Sequence, residues 1–328
     1  MTTLGPAIDL RDVTKTFGSQ TAVSHLDLTI PRGALYGFIG PNGAGKTTSI
    51  RMIMAILFPD SGKLSVLGHK SALEAKDKIG YLPEERGVYR KMRVGAYLTY
   101  IAKLKGVPEK GLAERIKTGV ARVGLAGTEG KRCEELSKGM LQKIQFVAAI
   151  IHEPELLILD EPFSGLDPVS SRLLREQIVA EHARGATILF STHVMQQAEE
   201  ICDHVVMIHR GLKVLDDPVS SIHRRYNPRA LVLEPLDPSA DLGRVRSLAE
   251  VESCTAHDGA YDVVLRAGLD PAGAIARIAG ALPLARIEVK RPRLEDVFVQ
   301  LVADGGQSAE ATSALRAELA GHAEQVAT

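Results

Sequence analysis

The 328 residues are enough for about two domains, and 40 basic side chains (Lys and Arg) balance 40 acidic ones, so the formal net charge is zero. Such a balance gives no bulk electrostatic reason to bind DNA or RNA, and we expect no nucleic-acid partner. Three scattered cysteines indicate neither a disulfide framework nor a metal site, and no apolar run approaches the roughly 20 residues of a membrane span. The N-terminus has no signal-peptide pattern, so we expect any function at a membrane to require a partner protein.

The N-terminal part of the chain predicts strands that lead into a helix. Ala7 to Val13 and Leu26 to Ile30 have apolar patterns that are typical of strands. Ala34 to Ile39 is a short continuous apolar run, as expected for a strand that is buried on both faces. A glycine-rich turn follows, and then a helix that we expect to continue to about Leu57, just before a Pro-Asp-Ser-Gly stop signal.

The middle of the chain predicts helices and then further buried strands. Apolar residues recur at helical spacing in the segment from Val94 to about Val147, which we expect to be mostly helical. Beyond it, short apolar runs alternate with helical patterns, which is typical of an α/β core with a parallel sheet. The predicted strands are Leu156–Leu159, Thr187–Ser191 and Val205–His209, and the predicted helices between them are Val169–His182 and Val194–Cys202.

The pattern breaks between Arg224 and Arg229, and a small α+β domain is predicted beyond the break. There, His257-Asp258-Gly259 separates two strand-like runs, which is a strong hairpin signal. The tail from Asp304 is Ala-rich and short of large apolar residues, a composition that favours disorder or a loose helix. The elements predicted before the tail are strands Val251–Ala256, Ala260–Leu265 and Ala285–Val289 and helices Ala272–Ala281 and Leu294–Val302.

The sharpest signal is the glycine-rich turn that joins the buried strand to the first predicted helix. Its spacing, two glycines around four residues followed by Lys and Thr, is that of a phosphate-binding loop. Glycines let backbone N–H groups point at phosphate oxygens, and the start of a helix favours an anion. Lys46 can reach the β- and γ-phosphates, and Thr47 can ligate Mg²⁺. The predicted ATP-binding residues of this loop are Gly40, Pro41, Asn42, Gly43, Ala44, Gly45, Lys46, Thr47 and Thr48.

Two acidic residues, Asp160 and Glu161, directly follow the apolar run Leu156–Leu159. A buried parallel strand would place Asp160 at its carboxyl end, where ligands of α/β proteins bind, and Asp160 would hold Mg²⁺ directly or through water. Glu161 is then a candidate general base for an attacking water. An acidic pair that merely favours a helix N-terminus is the alternative, but it does not account for the phosphate loop in the same chain.

Further motifs make the first 220 residues or so resemble an ABC-type ATPase. Leu136-Ser137-Lys138-Gly139-Met140 is similar to the signature loop of that family, and Ser164-Gly165-Leu166-Asp167 is similar to the loop that contacts the opposite subunit. His193 matches the switch histidine, and Phe17 lies where the family stacks an aromatic ring on adenine. Each motif is weak alone, but their order along the chain is specific. A P-loop kinase or GTPase would explain neither the signature loop nor His193.

The resemblance implies a fold and a mechanism. We expect an α/β P-loop NTPase core with an N-terminal antiparallel β region at 1–225, including a helical subdomain at about 87–150, then a small α+β domain at 229–303 and the tail at 304–328. Two copies would enclose two ATP molecules head to tail. By the resemblance, Ser137, Gly139 and Asp167 would act from the second copy, Glu161, His193 and Glu84 would be catalytic, and Thr47, Asp160 and Glu84 would ligate Mg²⁺.

Two positions depart from the family pattern. The family usually has Gln after a Tyr-x-Pro segment, whereas here Tyr81-Leu82-Pro83 is followed by Glu84. A carboxylate can ligate Mg²⁺ but repels an anionic phosphate, so we hypothesise that Glu84 senses metal and water with a different pH or metal dependence. The signature loop has Lys138 and Met140 where the family more often has Gly and Gln, which keeps the phosphate-facing Ser and Gly but alters contacts on the ribose side.

The resemblance also indicates transport. Leu294-Glu295-Asp296-Val297-Phe298 is similar to a helix in the C-terminal domain of one subset of these ATPases, whose partners are commonly exporters of drugs, sodium or other small solutes. With one cassette and no predicted span, the chain would act as a homodimer on a separate permease at the cytoplasmic face of the membrane. A non-transport ABC ATPase is the alternative, but translation factors usually carry two cassettes, and DNA-repair ATPases insert a coiled coil for which Leu82 to Glu135 is too short.

Overall fold

The computed structural model of the chain describes residues 5–304 except 86, 227–228, 258, 267 and 270. The described residues form two compact units, 5–219 with 298–304, and 220–297. The domain boundaries predicted from the sequence remain predictions, and the tail beyond Asp304, like Asp258 of the predicted hairpin turn, lies outside the described residues. In the described part of the chain, no helix has both the length and the apolar character needed to cross a bilayer.

The strands and helices have the following bounds. The strands are β1 (Ile8–Phe17), β2 (Gln20–Ile30), β3 (Leu35–Ile39), β4 (Ser61–Val66), β5 (Ile79–Leu82), β6 (Leu156–Asp160), β7 (Thr187–Thr192), β8 (His204–His209), β9 (Leu212–Pro218), β10 (Ala230–Pro235), β11 (Val251–His257), β12 (Ala260–Leu265) and β13 (Leu284–Val289). The helices are α1 (Lys46–Ile53), α2 (Val94–Leu104), α3 (Leu112–Arg122), α4 (Lys138–Ile150), α5 (Pro168–Ala183), α6 (Met195–Ile201), α7 (Val219–Arg225), α8 (Gly243–Arg246), α9 (Pro271–Ala281) and α10 (Leu294–Asp304), and 3₁₀ turns occupy Ala72–Lys78 and Cys133–Glu135.

An antiparallel sheet in the order β2-β1-β4 begins the first unit, as the sequence predicted for the N-terminal region. Alternation places Ile8 and Leu10 of β1 in the core, with their partners Ile30 and Leu28 of β2. The prediction covered only parts of both strands. Register shifts beyond Leu10 interrupt the alternation, so β1 continues to Phe17 without a regular apolar pattern.

The central sheet of the first unit has the strand order β5-β6-β7-β3-β8-β9. The first five strands are parallel, and β9 is an antiparallel edge strand. Every residue of β3, β6 and β7 is buried, which explains why these strands read as continuous apolar runs. Because parallel strands end at the same edge, the residues that follow β3, β6 and β7 are brought together.

The first helix ends earlier than predicted. The sequence indicated a helix to about Leu57, but α1 ends at Ile53. Ala55 adopts a left-handed conformation (φ 55°), and the N–H groups of Ile56 and Leu57 both donate to the carbonyl oxygen of Arg51. This bonding satisfies a free carbonyl of the last turn and reverses the chain, so the apolar residues at 56 and 57 do not extend the helix.

The second unit is an α/β sandwich of its own. Strands β10 to β13 form an antiparallel sheet in the order β11-β12-β10-β13, with α8 after β10 and α9 after β12. This βαββαβ order is that of ferredoxin-like sandwiches. The sequence predicted β11, β12, β13 and α9 but missed β10 and α8. The core of the unit includes Leu231, Leu233, Val245, Val263, Leu265 and Ile278.

Gly80 in β5 tests how tightly this strand packs against α4. A Cβ atom here would lie 2.2 Å from the carbonyl oxygen of Ala149 and 2.9 Å from Leu157 Cδ1. Because the closest atom belongs to the backbone of α4 and not to the end of a flexible side chain, we expect Gly80→Ala to lower the free energy of unfolding by about 1–3 kcal/mol. Thermal melts followed by circular dichroism measure this. Gly5→Ala is the matched control, since no atom lies within 4 Å of its Cβ position, and equal midpoints for the two variants would contradict the packing.

Candidate functional site

The glycine-rich loop joins the buried strand β3 to α1. Gly45 precedes α1 with φ 109°, and a Cβ atom there would lie 2.4 Å from the carbonyl oxygen of Ala22, so only glycine fits. Lys46, the first residue of α1, folds back into the loop. Its Nζ donates hydrogen bonds to the carbonyl oxygens of Gly40 (2.6 Å) and Pro41 (3.1 Å). The loop is therefore closed around a buried ammonium group.

Burial and neighbouring negative charges have opposite effects on the pKa of the Lys46 ammonium. Burial lowers the pKa of Lys46, and three neighbouring carboxylates oppose this shift, those of Glu161, Asp160 and Glu84. Lys46 Nζ is 3.9 Å from Glu161 Oε1, and both side chains are less than a tenth exposed (6% and 9%). Among the described residues, the partners of this buried cation are two carbonyl oxygens and one distant carboxylate, so it is well suited to bind a phosphate group.

Asp160 is the last residue of β6 and is completely buried. Burial raises the pKa of its carboxyl to about 6, while the hydroxyls of Ser191 and Thr47 lower it. Neither hydroxyl, nor any other group of the described residues, completes a hydrogen bond to the carboxyl oxygens. Thr47 and Asp160 line one cleft of about 550 Å³ together with Glu84. A buried carboxylate with unused lone pairs beside a hydroxyl is an oxygen donor set that fits Mg²⁺.

Glu161 has an unusual backbone conformation. Its φ of 49° lies in the left-handed region, which costs a non-glycine residue about 1–3 kcal/mol. Two hydrogen bonds hold it, from its own N–H to the carbonyl oxygen of Ser191 (3.0 Å) and from the N–H of Ser164 to its carbonyl oxygen (3.1 Å). Its Oε1 lies 2.9 Å from Nδ1 of His193, which is in the turn between β7 and α6. The strained turn thus brings the acid and the histidine together.

Ten residues predicted to bind ATP or act in catalysis come together around one cleft of about 410 Å³, a volume in the range of small-molecule sites. Gln20 and Ala22 also line it. Phe17, at the end of β1 and half exposed (52%), lies at this cleft and at the cleft that contains Asp160. The ten residues are Phe17, Asn42, Gly43, Ala44, Gly45, Lys46, Thr47, Thr48, Glu84 and Glu161.

The signature loop is not among the described residues that line this cleft. Ser137 instead caps α4, and its hydroxyl accepts a hydrogen bond from the N–H of Met140 (3.2 Å). Gly139 packs closely against the next loop, since a Cβ atom there would lie 3.2 Å from Leu166 Cδ2. Ser137 and Gly139 therefore have structural partners within the chain but do not join the phosphate loop of the same copy.

Asp167 caps α5 and faces a separate cleft. Its carboxylate accepts hydrogen bonds from the N–H (2.9 Å) and hydroxyl (2.7 Å) of Ser170, which lower its pKa. It lines a cleft of about 580 Å³ together with Glu161 and His193. The predicted residues thus occupy two sides of Glu161, the phosphate loop on one and Asp167 with His193 on the other.

Two residues of the site were missed by the sequence analysis. Ser191 lies beside Asp160, and Gln197 holds the turn that carries His193, because Thr192 Oγ1 donates to Gln197 Oε1 (2.9 Å) and accepts from the N–H of Val194 (3.0 Å). The sequence signal for Ser191 was its place as a polar residue at the carboxyl end of an otherwise apolar strand, whereas Gln197 lies in α6 and had no such signal.

Comparisons with known proteins identify a family and a fold to which the chain is similar. Residues 23–164 match the family model described as ABC transporter. The chain is 38% identical to the uncharacterized ABC transporter ATP-binding protein YhaQ of Bacillus subtilis, over 88% of this chain and 96% of YhaQ. It is 31% identical to Nod factor export ATP-binding protein I of Rhizobium sp., over 90% of this chain and 96% of that protein. A solved ATP-binding subunit of an ABC transporter superposes with a TM-score of 0.63 at 30% identity, over 67% of this chain and 93% of that one, which confirms the predicted α/β P-loop fold.

The raised pKa of Asp160 predicts how stability changes with pH without ligands. The folded protein keeps this proton up to about pH 6, whereas the unfolded chain releases it at an ordinary pKa of about 4. The folded state therefore binds more protons between about pH 4 and 6, and its stability decreases as the pH rises through this window. We expect Asp160→Asn, which cannot ionise, to melt at a higher temperature than the wild type at about pH 7.5, with the difference lost by about pH 4.

Differential scanning fluorimetry across this pH range, without Mg²⁺ or nucleotide, measures the effect. Asp203→Asn is the control, because Asp203 is an exposed carboxylate outside the site. A lower midpoint for Asp160→Asn than for the wild type at about pH 7.5 would show that the charged carboxylate stabilises the site.

Proposed function

The chain belongs to the family of ABC transporter ATP-binding proteins, which hydrolyse ATP to drive transport, and we propose that two copies share their ATP sites and power a separate membrane permease. The observation that carries the proposal is the convergence of Lys46, Asp160 and Glu161 at one edge of the central sheet. A buried cation, a buried carboxylate with unused lone pairs and an acid beside a histidine are the groups that phosphoryl transfer to water requires.

Nucleotide binding rests on the phosphate loop and on Phe17. In our proposal the Lys46 ammonium bonds the β- and γ-phosphates, and the Phe17 ring stacks on adenine. Asp160 and Thr47 would hold Mg²⁺, with Glu84 as a further ligand, and the bound ion would neutralise charge on the phosphates. The unused oxygens of Asp160 and the presence of all three side chains at one cleft support this assignment.

Hydrolysis rests on Glu161 and His193. The Glu161 carboxylate would take a proton from the attacking water, and His193, 2.9 Å from it, would hold the water and the γ-phosphate in place. Without nucleotide, Glu161 lies between His193 and the Lys46 ammonium. A phosphate that attracts Lys46 would leave the carboxylate to His193 and the water.

The shared site rests on the position of the signature loop. Ser137 and Gly139 are absent from the described lining of the phosphate-loop cleft, and Asp167 lines the other cleft beside Glu161. In a head-to-tail homodimer, the capped start of α4 would supply N–H groups to the γ-phosphate of the second copy. Each site would then need both copies.

We assign the transport role to export of a small solute, drug or ion through the permease, with the chain held at the cytoplasmic face of the membrane through that partner. The motif in α10 and the similarity to a Nod factor export protein support export. The non-transport alternative is not favoured. The segment Leu82 to Glu135 contains α2 and α3 of 11 residues each, which leaves no room for a long coiled coil.

Glu161→Gln tests the general base. Since the amide keeps the shape of the side chain but cannot accept the proton, we expect normal ATP binding and hydrolysis at least tens of times slower, measured by equilibrium binding and phosphate release. Glu176→Gln, an exposed carboxylate on α5 paired with Arg172, is the control and should keep full activity. Turnover close to that of the wild type in Glu161→Gln would remove Glu161 from this role.

The same variant reports on the shared site. Because it holds ATP without turning it over, Mg²⁺ and ATP should double its molar mass in light scattering. Adding Ser137→Arg should prevent this, since a bulky cation would occupy the place of the signature serine at the partner's phosphate. A Glu161→Gln variant that binds ATP but stays monomeric would argue against two copies sharing a site.

Glu84→Gln tests the departure from the family pattern. Loss of a carboxylate ligand should raise the Mg²⁺ concentration for half-maximal ATPase activity severalfold, and loss of repulsion should tighten metal-free ATP binding. Glu85→Gln is the control, because Glu85 is the neighbouring carboxylate and is paired with Arg51 at 3.3 Å. Identical rates and Mg²⁺ dependence in Glu84→Gln and wild type would show that Glu84 has no such role.

A further inference from the structure

A lysine lies over the aromatic ring that borders the nucleotide cleft. Lys15 Nζ is 5.6 Å from the centroid of the Phe17 ring. The Phe17 side chain is half exposed and lines the cleft of the phosphate loop, whereas the Lys15 side chain is only 15% exposed. An ammonium at this distance from a ring, on a side chain that is largely buried, makes a cation–π contact. The ring therefore has a partner on the protein before any nucleotide binds.

Asp60, just before β4, fixes the position of Lys15. Its Oδ1 accepts a hydrogen bond from Lys15 Nζ at 2.7 Å, and its Oδ2 accepts one from the N–H of Thr16 at 2.7 Å. The N–H of Asp60 in turn donates to the carbonyl oxygen of Thr14 at 2.9 Å. These bonds tie Asp60 to three consecutive residues of β1, at the end of the strand where pairing with β4 stops. The ammonium is thus held against the backbone and is not a freely moving surface charge.

The ring needs such support because the chain around it gives little. Phe17 is the last residue of β1, the two residues of the following turn (18 and 19) are exposed, and so is Gln20 at the start of β2. An exposed ring samples several rotamers. Stacking of a base fixes one of them, and the lost conformational entropy weakens binding. A partner that orders the ring in advance reduces this loss and so tightens binding.

We propose that Lys15, held by Asp60, is a positioning residue that orders the Phe17 ring for stacking on the nucleotide base. The proposal rests on the function proposed above, in which Phe17 stacks on adenine. Lys15 contributes to affinity for the base and not to affinity for the phosphates, which the loop binds by itself. The pair Lys15 and Asp60, 45 positions apart in the sequence, is thereby part of the nucleotide site without lining its cleft.

The test compares two probes on the full chain by isothermal titration calorimetry, Mg²⁺-ADP and Mg²⁺-pyrophosphate. Lys15→Met should weaken ADP binding about two- to fivefold and leave pyrophosphate binding unchanged. Lys15→Arg, which keeps a cation over the ring, should bind ADP like the wild type. Lys63→Met is the matched control, a lysine removed from an exposed position of β4 in the same sheet, and should change neither affinity. Thermal melts confirm that each variant is folded.

A double-variant cycle separates this proposal from the function on which it rests. Phe17→Ala should weaken ADP binding at least about fivefold, and Lys15→Met added to it should cause no further loss. If Phe17→Ala weakens ADP binding but Lys15→Met does not, the positioning role is wrong and stacking stands. If Lys15→Met weakens ADP and pyrophosphate equally, Lys15 acts on the phosphates and the proposal is overturned. If Phe17→Ala has no effect, stacking by Phe17 and its positioning by Lys15 both fail.

Discussion

The burial of one ammonium group among carboxylates is the constraint on which this site depends. Lys46 loses water at the start of α1, and Asp160 loses water at the end of β6. Burial shifts both pKa values toward the neutral forms, because each charge is poorly compensated inside the protein. Carbonyl oxygens of the loop satisfy part of the ammonium, and nothing among the described residues satisfies the Asp160 oxygens. In the function proposed above, a triphosphate with a divalent cation would supply the missing partners of both groups at once.

The fold can tolerate this arrangement because the surrounding strands are buried throughout and mostly apolar. Strands β3, β6 and β7 are buried along their whole length and end at one edge, so short polar segments are carried on a rigid base. The phosphate loop follows β3, and the two acids lie at the end of β6. The left-handed turn at Glu161 is held by a hydrogen bond to the backbone of Ser191 in β7, so the orientation of this acidic residue depends on the sheet. The strained backbone of Glu161 and the unused oxygens of Asp160 thus lie at the edge of the sheet where a ligand could contact them.

Features that depend on residues adjacent in the sequence were predictable, whereas features that depend on contacts between residues far apart in the sequence were not. The phosphate loop, Asp160 and Glu161 follow from residue type and spacing, and the structure brings them together at one sheet edge. The end of α1 was placed too late because the left-handed turn at Ala55 leaves no signal in an apolar sequence. Helix α8 was missed because it has only four residues, and strand β10 was missed because it directly follows the break in the pattern between Arg224 and Arg229. The bond of Lys15 to Asp60 joins residues 45 apart, and no local pattern reports it.

The same constraint gives a reason why catalysis in this protein would depend on association. In one copy, the cleft offers the γ-phosphate a single ammonium beside Glu161, whose own charge repels it. The described residues of the signature loop lie outside that cleft, so the N–H groups at the start of α4 are not available to the same phosphate. In the proposed dimer, those donors come from the second copy and face the phosphate from the side opposite Lys46. Charge compensation, and with it a stable geometry for Glu161 and the water, would then be complete only when two copies close on ATP.

A ligand that binds only this closed state drives association by mass action, and hydrolysis of that ligand releases the two copies. In the proposed dimer, ATP turnover would thereby be converted into approach and separation of two subunits, which is a mechanical step that a permease could use.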